Sequence, residues 1–592
     1  MFELLRQASP WLRRQRGPLL LGFSLQVAIV GVELNIPLLW RRAIDGAIGR
    51  SLGVGAILGL GALVVALGGM RAALDYYVRM KVVGASRDFE RDLRGSLFRK
   101  MLALPSSFFG ASTVGDLVSR MTQDVEAVRM ALGPGVMYVG RAVLNMTAAA
   151  TALLLFDPTL ALWIAVPLVV LGVAALVLAP RLGRASDAVQ TGIGRISARA
   201  TESFGGIRVL KLFAREDLQA RRMEALGLDY YAAQMRLAKA RGGMLGLLAL
   251  GKDAAQFVIL LVCGLHIVDG RASFGDFVAY RSWLMQCFWP LVMFGWIISM
   301  VQRASAGMRR IDAILATPVA IAPPVRTAAP AKLALLATPA AEDGRPIDLE
   351  WRDVVLEMGG RRVLDRVSLR VPAGTSLGIT GRTGAGKSLL AQLLPRLLDP
   401  TAGTVLVGGV DARAWDLDEL RRRVGFVAQE PFLFSDSLRE NLRFARPGAD
   451  DAAIRAALRR ADLERDLDAL PAALDTRVGE RGVTLSGGQR QRATVARTLL
   501  ADPPVVVLDD CLSAVDAQTE ARILEELEQA LSGRTAVVVS HRIAALRGLD
   551  RIAVLDEGRL VELGTHDELV AAHGAYAKLD RDQRLLAELE AL

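Results

Sequence analysis

Cysteine is scarce in this chain, which has three cysteines among its 592 residues. Two of them, Cys263 and Cys287, lie in apolar runs, and none of the three forms a CxxC pair. Cysteines at such short spacing are typical of zinc sites and of small disulfide-bonded domains. The sequence therefore argues against both kinds of site, and we expect the cysteines to pack as small buried hydrophobic side chains.

A basic excess is absent from the second half of the chain, although the whole sequence has a net charge of +10. Residues 1–346 contain 39 Lys and Arg against 23 Asp and Glu, whereas residues 347–592 contain 33 against 39. The positive excess thus belongs to the more hydrophobic half, and basic residues beside apolar spans are the pattern of a membrane protein. We therefore expect contact with membrane lipids and no nucleic-acid partner.

Long apolar runs are abundant, and six of them are long enough to cross a bilayer. Between them, short segments alternate with two long charged segments, 75–130 and 180–242. Basic residues such as Arg91 and Arg94 crowd the first long segment, which places that side of the membrane in the cytoplasm. We therefore predict a multi-pass protein of the inner (plasma) membrane of a bacterial cell. The six predicted spans are residues 18–40, 54–74, 131–156, 159–179, 243–268 and 278–300.

The amino terminus lacks the small-residue cleavage site that follows the short apolar core of a signal peptide. The apolar run continues instead through Glu33 and Pro37. We therefore expect this run to be retained as the first span, preceded by a short helix at the cytoplasmic interface.

The amino-acid composition and pattern of the sequence change twice after the last apolar run. Residues 316–346 are dominated by Ala and Pro and keep neither helical nor strand periodicity, which indicates a linker. Beyond it, short apolar runs alternate with helical patterns and Gly-rich turns, as in an α/β domain. The predicted organisation is an α-helical membrane domain at 1–315, a linker at 316–346 and an α/β domain at 347–592.

The strongest motif is GRTGAGKS, which fits the pattern G-x-x-x-x-G-K-[ST] of a phosphate-binding P-loop. It follows a strand-like run and precedes a helical one, which is the context that a P-loop requires. The loop backbone would wrap the β-phosphate of a nucleoside triphosphate, Lys387 would reach the β- and γ-phosphates, and the Ser388 hydroxyl would bind Mg²⁺. The predicted nucleotide-binding residues of the loop are Gly381, Arg382, Thr383, Gly384, Ala385, Gly386, Lys387 and Ser388.

Four further motifs follow the P-loop in a fixed order. Gln429 lies in VGFVAQEPFLF, LSGGQ occupies residues 485–489, VVVLDD ends on Asp509 and Asp510, and SHR contains His541. On these motifs the second half resembles the ATP-binding cassette (ABC) proteins. In the first half, residues 104–129 and 202–216 resemble the two cytoplasmic loops of ABC exporters. The resemblance implies six long transmembrane helices fused to one α/β P-loop nucleotide-binding domain, with two such halves forming a working transporter.

The resemblance also implies a role for each motif. Asp509 would hold Mg²⁺, Gln429 would contact Mg²⁺ and the attacking water, and His541 would touch the γ-phosphate. The LSGGQ residues would close on nucleotide bound to the opposite subunit, and Asp516 would help couple the two sites. These signature residues are Ser486, Gly487, Gly488 and Gln489.

Asp510 departs from the family pattern, in which the second acid is Glu and orients or deprotonates the water. A side chain one methylene shorter withdraws the carboxylate by about 1.5 Å. Because misplacement by about 1 Å can cost on the order of a hundredfold in rate, we expect slow hydrolysis with nucleotide binding intact. The alternative is that backbone adjustment lets Asp510 act normally.

Met358 is a second departure. The family stacks an aromatic side chain on adenine at about this point, shortly before the strand that contains Val363 and Leu364. A thioether can pack on a purine without ring stacking, so the affinity for nucleotide or the base preference would change. The alternative is that Trp351 or another residue stacks instead.

The combination of a shortened catalytic acid, Asp510, with an intact LSGGQ signature resembles one subunit of a heterodimeric exporter. We therefore expect a partner half-transporter that has Glu at the matching position and a damaged signature, so that hydrolysis occurs where the partner's P-loop meets Ser486–Gln489. The predicted function is ATP-driven export of hydrophobic or amphipathic compounds. A mainly regulatory nucleotide-binding subunit and a homodimeric exporter are the alternatives.

Coupling and cargo are less well defined by the sequence. The resemblance implies short coupling helices near Gly110–Asp116 and Gly205–Leu210, which would sit in grooves of the nucleotide-binding domains. Glu33, Arg141, Lys252 and Asp253 fall in or near apolar spans, where charged groups line a cavity or pair with one another. A cavity that added aromatic side chains of the last span, such as Trp283, would suit drugs, lipids or peptides.

Overall fold

The computed structural model describes residues 13–321, 345–479, 482, 484–511, 529 and 531–591. The chain forms two compact units. The first contains the described residues within Met1–Leu102 and Val114–Thr317, and the second contains those within Ala103–Thr113 and Pro318–Leu592. Most of the predicted linker lies outside the described residues, so the predicted boundaries 1–315, 316–346 and 347–592 stay predictions.

The first unit is built from long helices. Five of the described helices, α1 to α5, are long and apolar enough to cross a membrane. The sixth predicted span, 278–300, lies within α6, and its crossing of the membrane stays a prediction. The long helices are α1 (Arg16–Ile48), α2 (Val54–Leu102), α3 (Val114–Phe156), α4 (Pro158–Gly205), α5 (Glu216–Val268) and α6 (Phe274–Ala316).

Polar residues at the turns determine where these helices begin. Asp157 lies in the predicted two-residue turn, and its carboxylate accepts hydrogen bonds from the N–H groups of Thr159 and Leu160, both at 3.0 Å. Pro158 takes the first helical position, where its missing N–H costs nothing. Ser273 caps α6 through a capping box. These caps divide the apolar part of the sequence into separate helices.

Apolar side chains cover much of the outer surface of the first unit. Val65 on α2 and Leu162 on α4 are exposed, together with many neighbours of the same kind. Contiguous exposed apolar surface of this extent is unusual for a soluble domain and is expected of lipid-facing helices.

Helix α3 is not regular along its whole length. It contains two segments of π-helix, Arg120–Asp124 and Ala131–Gly135, separated by Val125–Met130. Pro134 lies in the second segment and has no backbone N–H to donate to the preceding turn. The apolar pattern alone gave no sign of these segments.

Short helices occur near both predicted coupling positions. The first is Ser106–Ala111 and the second is Ile207–Leu212. The first begins four residues before the predicted Gly110, because Pro105 fixes an extended backbone at its start and Ser112 is again extended at its end. Ser106 belongs to the second unit, where its hydroxyl donates a hydrogen bond to the Leu397 carbonyl oxygen at 3.4 Å.

The second unit contains two sheets. An antiparallel sheet has the strand order β2-β1-β4-β5, and a six-stranded sheet has the order β10-β9-β3-β8-β7-β6. In the larger sheet β6, β7, β8, β3 and β9 pair in parallel, and β10 pairs antiparallel with β9. The strands are β1 (Leu349–Met358), β2 (Arg361–Val371), β3 (Ser376–Gly381), β4 (Ala402–Val407), β5 (Val410–Asp411), β6 (Val424–Val427), β7 (Val505–Asp509), β8 (Thr535–Val539), β9 (Arg551–Asp556) and β10 (Arg559–Gly564).

Helices cover the sheets, and the central strands are buried on both faces. Every residue of β7 and of β8 is buried, as expected for parallel strands with helices on either side. The predicted α/β fold of this half is thus confirmed, and all three cysteines of the chain are buried as predicted. The helices that follow Ser106–Ala111 in this unit are Lys387–Gln392 (α7), Leu417–Arg423, Leu438–Arg443, Asp451–Arg460, Glu464–Ala469, Ala473–Asp475, Gly487–Leu500, Ile543–Ala545, His566–Ala571 and Ala575–Ala591.

Candidate nucleotide-binding site

Parallel strands bring the candidate residues to one edge of the six-stranded sheet. β3 runs into the P-loop, β7 ends on Asp509, β8 ends two residues before His541, and β6 ends two residues before Gln429. The register places Asp509 beside Val539, the last residue of β8. Since the carboxyl ends of parallel strands form the usual ligand-binding edge of an α/β sheet, these motifs form a single site.

Glycine is required at the two ends of the tight part of the P-loop. Gly381 and Gly386 have φ angles of 139° and 93°. A Cβ atom at Gly386 would lie 2.7 Å from the Leu364 side chain and 2.9 Å from the Val363 carbonyl oxygen, and one at Gly381 would collide with the Leu555 carbonyl oxygen. The backbone can therefore form the concave turn of N–H groups that binds phosphate.

Lys387 begins α7 directly after Gly386 and is 5% exposed. Its ammonium group donates hydrogen bonds to the carbonyl oxygens of Gly381 and Arg382, each at 2.9 Å. Burial lowers the pKa of this ammonium group, while Asp510 and Asp509 act in the opposite direction. The lysine is thus held across the loop, where the phosphates of a nucleotide would stabilise its charged form. Of the other predicted loop residues, Arg382, Thr383 and Gly384 are exposed and Ala385 is buried.

Asp509 and Ser388 form the most tightly packed polar pair of the site. The Ser388 hydroxyl donates to Asp509 Oδ1 at 2.7 Å, and Asp509 is 1% exposed. Burial raises the pKa of the Asp509 carboxyl group, and the neighbouring Asp510 raises it further, whereas Ser388 and Lys387 lower it. A carboxylate that is so poorly solvated gains from a nearby cation.

These groups fit a Mg²⁺ ion. Mg²⁺ prefers oxygen ligands, and in nucleotide sites it is held by one or two protein oxygens together with phosphates and water. Ser388 and Asp509 supply two such oxygens next to the P-loop, and Gln429 lies after the neighbouring strand β6. When bound, the metal would neutralise charge on the β- and γ-phosphates.

Asp510 lies immediately beyond the pair. Its backbone N–H donates to the Val539 carbonyl oxygen at 2.8 Å, and its φ angle of 45° lies in the left-handed region. Its carboxylate is half-buried, and Gln429 Nε2 approaches Oδ2 only at 3.5 Å. The backbone N–H of Asp510 is therefore bound to the adjacent strand β8.

His541 follows β8 and is exposed at the same edge. Its carbonyl oxygen accepts a hydrogen bond from Gln583 Nε2 at 2.6 Å, which fixes the backbone and leaves the ring unconstrained by that contact. A ring in this position is free to turn toward a γ-phosphate, as the resemblance implies.

The two candidates for base stacking differ in burial. Met358, the last residue of β1, is 42% exposed. Trp351 is fully buried in the core, where its indole N–H donates to the Leu390 carbonyl oxygen at 3.3 Å. The alternative that Trp351 stacks on the base is therefore wrong, because no face of its ring is accessible.

The signature segment begins a helix. Ser486 is the N-cap of Gly487–Leu500: its hydroxyl accepts from the Gln489 N–H at 3.2 Å, and Gln489 Oε1 accepts from the Ser486 N–H at 2.9 Å. Ser486 is exposed, and Gly487, Gly488 and Gln489 are half-buried. A surface-facing N-terminus of this kind presents N–H groups to a phosphate.

Asp466 supports this segment and was not identified from the sequence. Its carboxylate accepts a hydrogen bond from Gln489 Nε2 at 3.3 Å and forms an ion pair with Arg492 at 2.9 Å. No motif marks it, because the short helix Glu464–Ala469 that contains it is brought beside LSGGQ only by tertiary packing. Asp516 lies outside the described residues.

The charged residues predicted within the spans are paired. Arg141 forms an ion pair with Glu33 at 2.6 Å, and Lys252 forms one with its neighbour Asp253 at 3.2 Å. The expectation that Trp283 lines a cavity is wrong, because Trp283 is fully buried against other apolar side chains.

Comparison with known proteins agrees with this geometry. The model of the ABC transporter transmembrane region matches residues 19–291, and the ABC transporter model matches residues 364–513. The multidrug resistance-like ATP-binding protein MdlA of Escherichia coli (strain K12) is 31% identical over 99% of this chain and 98% of its own length. The chain belongs to the ABC transporter family.

Other ABC relatives indicate the kind of transporter. An ATP-dependent lipid A-core flippase of Methylococcus capsulatus is 32% identical over 82% of this chain and 79% of its own length. A solved structure of a bacterial Atm1-family ABC exporter with ATP bound has a TM-score of 0.77 and 26% identity, covering 97% of this chain and 99% of that one. This chain is thus an ABC exporter with fused membrane and nucleotide-binding domains, and it acts as a transport ATPase.

Proposed function

We propose that this chain is one half of a heterodimeric exporter of hydrophobic or amphipathic compounds, in which the pocket containing Asp510 hydrolyses ATP slowly. The single observation that carries the proposal is the short acid at position 510 in an otherwise complete site. Lys387 and Asp509 are buried, Ser388 is half-buried, and all three are hydrogen-bonded in an arrangement that suits nucleotide and Mg²⁺ binding. The chain would therefore bind ATP and retain it.

The backbone contact of Asp510 supports the slow site. Its N–H bond to Val539 fixes the Cα atom at the end of the sheet, so a shorter side chain cannot be offset by moving the strand alone. The catalytic carboxylate then lies about 1.5 Å short of the position that a Glu would reach. General-base catalysis depends on hydrogen-bond contact with the water, so the rate falls while binding does not.

The intact signature supports a partner of complementary design. Ser486 and Gln489 form a complete capping box at an exposed helix start, and nothing in these residues is damaged. The short helix Ile207–Leu212 has no buried residues, and Phe204, Leu212 and Phe213 around it are exposed. Exposed apolar residues in this region would be covered by a second half-transporter.

The proposed cargo class follows from the relatives and from the cavity charges. The relatives named above are a multidrug resistance-like protein and a lipid A-core flippase, and both names point to amphipathic compounds. In this chain, ion pairs such as Glu33–Arg141 lie among apolar helices. A transport path of mixed polarity suits a molecule with one polar and one apolar part.

Purification from the native membrane tests the proposal. The tagged chain is isolated in mild detergent and its companions are identified by mass spectrometry, with an equally tagged, unrelated multi-pass protein as the control. We expect one second half-transporter, with Glu at the position of Asp510 and a damaged LSGGQ segment. A homodimer with brisk ATPase activity, or a companion with an undamaged signature that also lacks the Glu, would contradict it.

A further inference from the structure

The first unit contains a cavity of about 540 Å³ between α1, α2, α3 and α6. Apolar side chains form part of its wall, among them Ile36, Met285 and Met293. Charged residues form another part, supplied by three different helices. The cavity therefore has the two-sided lining of a site for an amphipathic molecule.

An ion-pair cluster lies in the polar part of this cavity. Glu33 Oε1 accepts a hydrogen bond from Arg141 at 2.6 Å and forms an ion pair with Arg71 at 3.1 Å, and Arg141 also pairs with Asp75 at 2.8 Å. Two carboxylates and two guanidinium groups thus balance one another. Arg79 also lines the cavity, is exposed, and has no ion-pair partner among the residues that the structure describes. The group as a whole carries one excess positive charge.

Three buried acceptor oxygens in the same cavity wall have no hydrogen-bond donor within the described parts of the chain. They are Glu33 Oε2, Asn145 Oδ1 and Gln286 Oε1. The Glu33 side chain is only 8% exposed, so water solvates it poorly. Buried acceptors without a donor cost about 1–3 kcal/mol each, and such a group in a native protein needs an explanation, for example a catalytic role or a bound water or ion.

Rotation at the ends of their side chains would bring these oxygens to a ligand. The terminal torsions of Glu, Gln and Asn are broad, so each oxygen can turn from the wall toward the cavity. Gln286 Nε2 already donates to the Glu33 backbone carbonyl oxygen at 3.2 Å, and Asn145 lies one helical turn from Arg141. The three acceptors therefore belong to one neighbourhood.

The depth of the cluster places it inside the membrane. Glu33 and Arg141 each lie 15 residues from the ends of α1 and α3, and Gln286 lies 12 residues from the start of α6. At 1.5 Å per residue this is about 18–22 Å from those helix ends, compared with a hydrocarbon core of about 30 Å. Ionisable groups at such depth usually mark a substrate path.

We infer that this cavity binds the polar head of an amphipathic substrate that carries both a primary ammonium group and an anionic group. This inference rests on the proposed export function. A primary ammonium has three N–H donors, which match the three acceptors Glu33, Asn145 and Gln286. The anionic group pairs with Arg79. A simple cation would add to the existing positive charge, whereas a zwitterion leaves the net charge unchanged.

Equilibrium binding of short-chain phospholipids to the purified full-length transporter, without nucleotide, tests the inference. Dihexanoyl phosphatidylethanolamine has a primary ammonium, while dihexanoyl phosphatidylcholine has the same phosphate and no N–H donor. We expect the first to bind at least about tenfold more tightly, the equivalent of one charge-assisted hydrogen bond. Dodecylamine, a cation without an anionic group, should bind more weakly than the ethanolamine lipid. Equal binding of the two lipids would overturn the inference.

Variants of the cavity residues test which side chains produce the preference for the ethanolamine lipid. Glu33→Gln and Gln286→Met should each abolish the preference for the ethanolamine lipid, and Gln286→Met leaves the ion pairs in place if the first variant fails to fold. Asp253→Asn is the matched control, because it lies in a membrane helix but does not line this cavity, and it should keep the preference. A preference that survives in both cavity variants would show that these oxygens do not bind the ammonium.

Two further measurements distinguish a lipid ligand from a water-soluble one. They also distinguish failure of this inference from failure of the proposed export function. Glycerophosphoethanolamine, the same head without acyl chains, should bind weakly if the substrate is a lipid, whereas equal affinity would identify a water-soluble zwitterion of the same chemistry. Failure of the inference leaves ATP-driven transport of other amphiphiles intact in vesicles. Failure of the proposed function would appear as no transport of any amphiphile, whatever the binding preference.

Discussion

The floor and the mouth of the nucleotide pocket are built differently. At the floor, Lys387, Ser388 and Asp509 are held by hydrogen bonds of 2.7–2.9 Å. At the mouth, Asp510 and Gln429 are partly or fully exposed, and the contact between their side chains is 3.5 Å. The floor is fixed by the core of the sheet, whereas the mouth depends on the length of a single side chain. Binding and hydrolysis are therefore separable by mutation.

Removing the ammonium group of Lys387 from the floor of the pocket should have the largest effect on nucleotide binding. Lys387→Ala deletes a buried ammonium that would make charge-assisted hydrogen bonds to two phosphates, each worth about 1.5–3 kcal/mol. We expect the affinity for ATP to fall by about a thousandfold, measured by equilibrium binding to the full chain. Lys578→Ala, at a lysine far along the chain from the P-loop, is the control. Near-normal ATP binding by the Lys387 variant would show that the floor does not hold the phosphates.

Lengthening the acid at the mouth should have the next largest effect. Asp510→Glu restores the reach of the carboxylate, so ATP turnover in this pocket should rise by about a hundredfold, while the affinity for ATP changes by less than about threefold. Single-turnover hydrolysis measures the rate, and Asp510→Asn is the control for charge. Unchanged turnover in the assembled transporter would favour the regulatory alternative, in which the pocket senses ATP without hydrolysing it.

The smallest effect is expected at the rim. Met358→Tyr places an aromatic ring where the exposed thioether lies at the end of β1. Ring stacking adds about 0.5–1.5 kcal/mol, so the affinity for ATP should rise by about two- to tenfold. Trp351→Phe, inside the core, should leave the affinity unchanged. If Met358→Tyr binds ATP no more tightly, the base does not lie against this residue.

The floor of the pocket and the signature segment could be predicted from the sequence, because each motif consists of residues that are close together along the chain. The P-loop, the acid at the end of β7 and the signature each combine a strand or helix terminus with a motif of a few residues, and the parallel sheet then brings the termini together. The capping box at Ser486 and the contact of Asp466 with Gln489 were not foreseen. The second joins two helices that are separated along the chain, so only tertiary packing brings them together.

The membrane cavity could be predicted only in part. Glu33 and Arg141 can be recognised in the sequence as charged residues within apolar runs. Their pairing with Arg71 and Asp75, however, depends on the packing of three helices separated along the chain. Trp283 illustrates the same limit, since the sequence does not show which face of α6 packs inward. The π-helical segments of α3 likewise left no mark in the apolar pattern.

Labelling of the two pockets tests the central claim most directly. The purified transporter is incubated with photoreactive ATP labelled on either the α- or the γ-phosphate, cross-linked, and separated into its subunits. The account predicts that this chain keeps both labels over many turnovers, while its partner keeps only the α label. Loss of the γ label from this chain as fast as from its partner would show that Asp510 hydrolyses ATP normally and that the pocket is not slow.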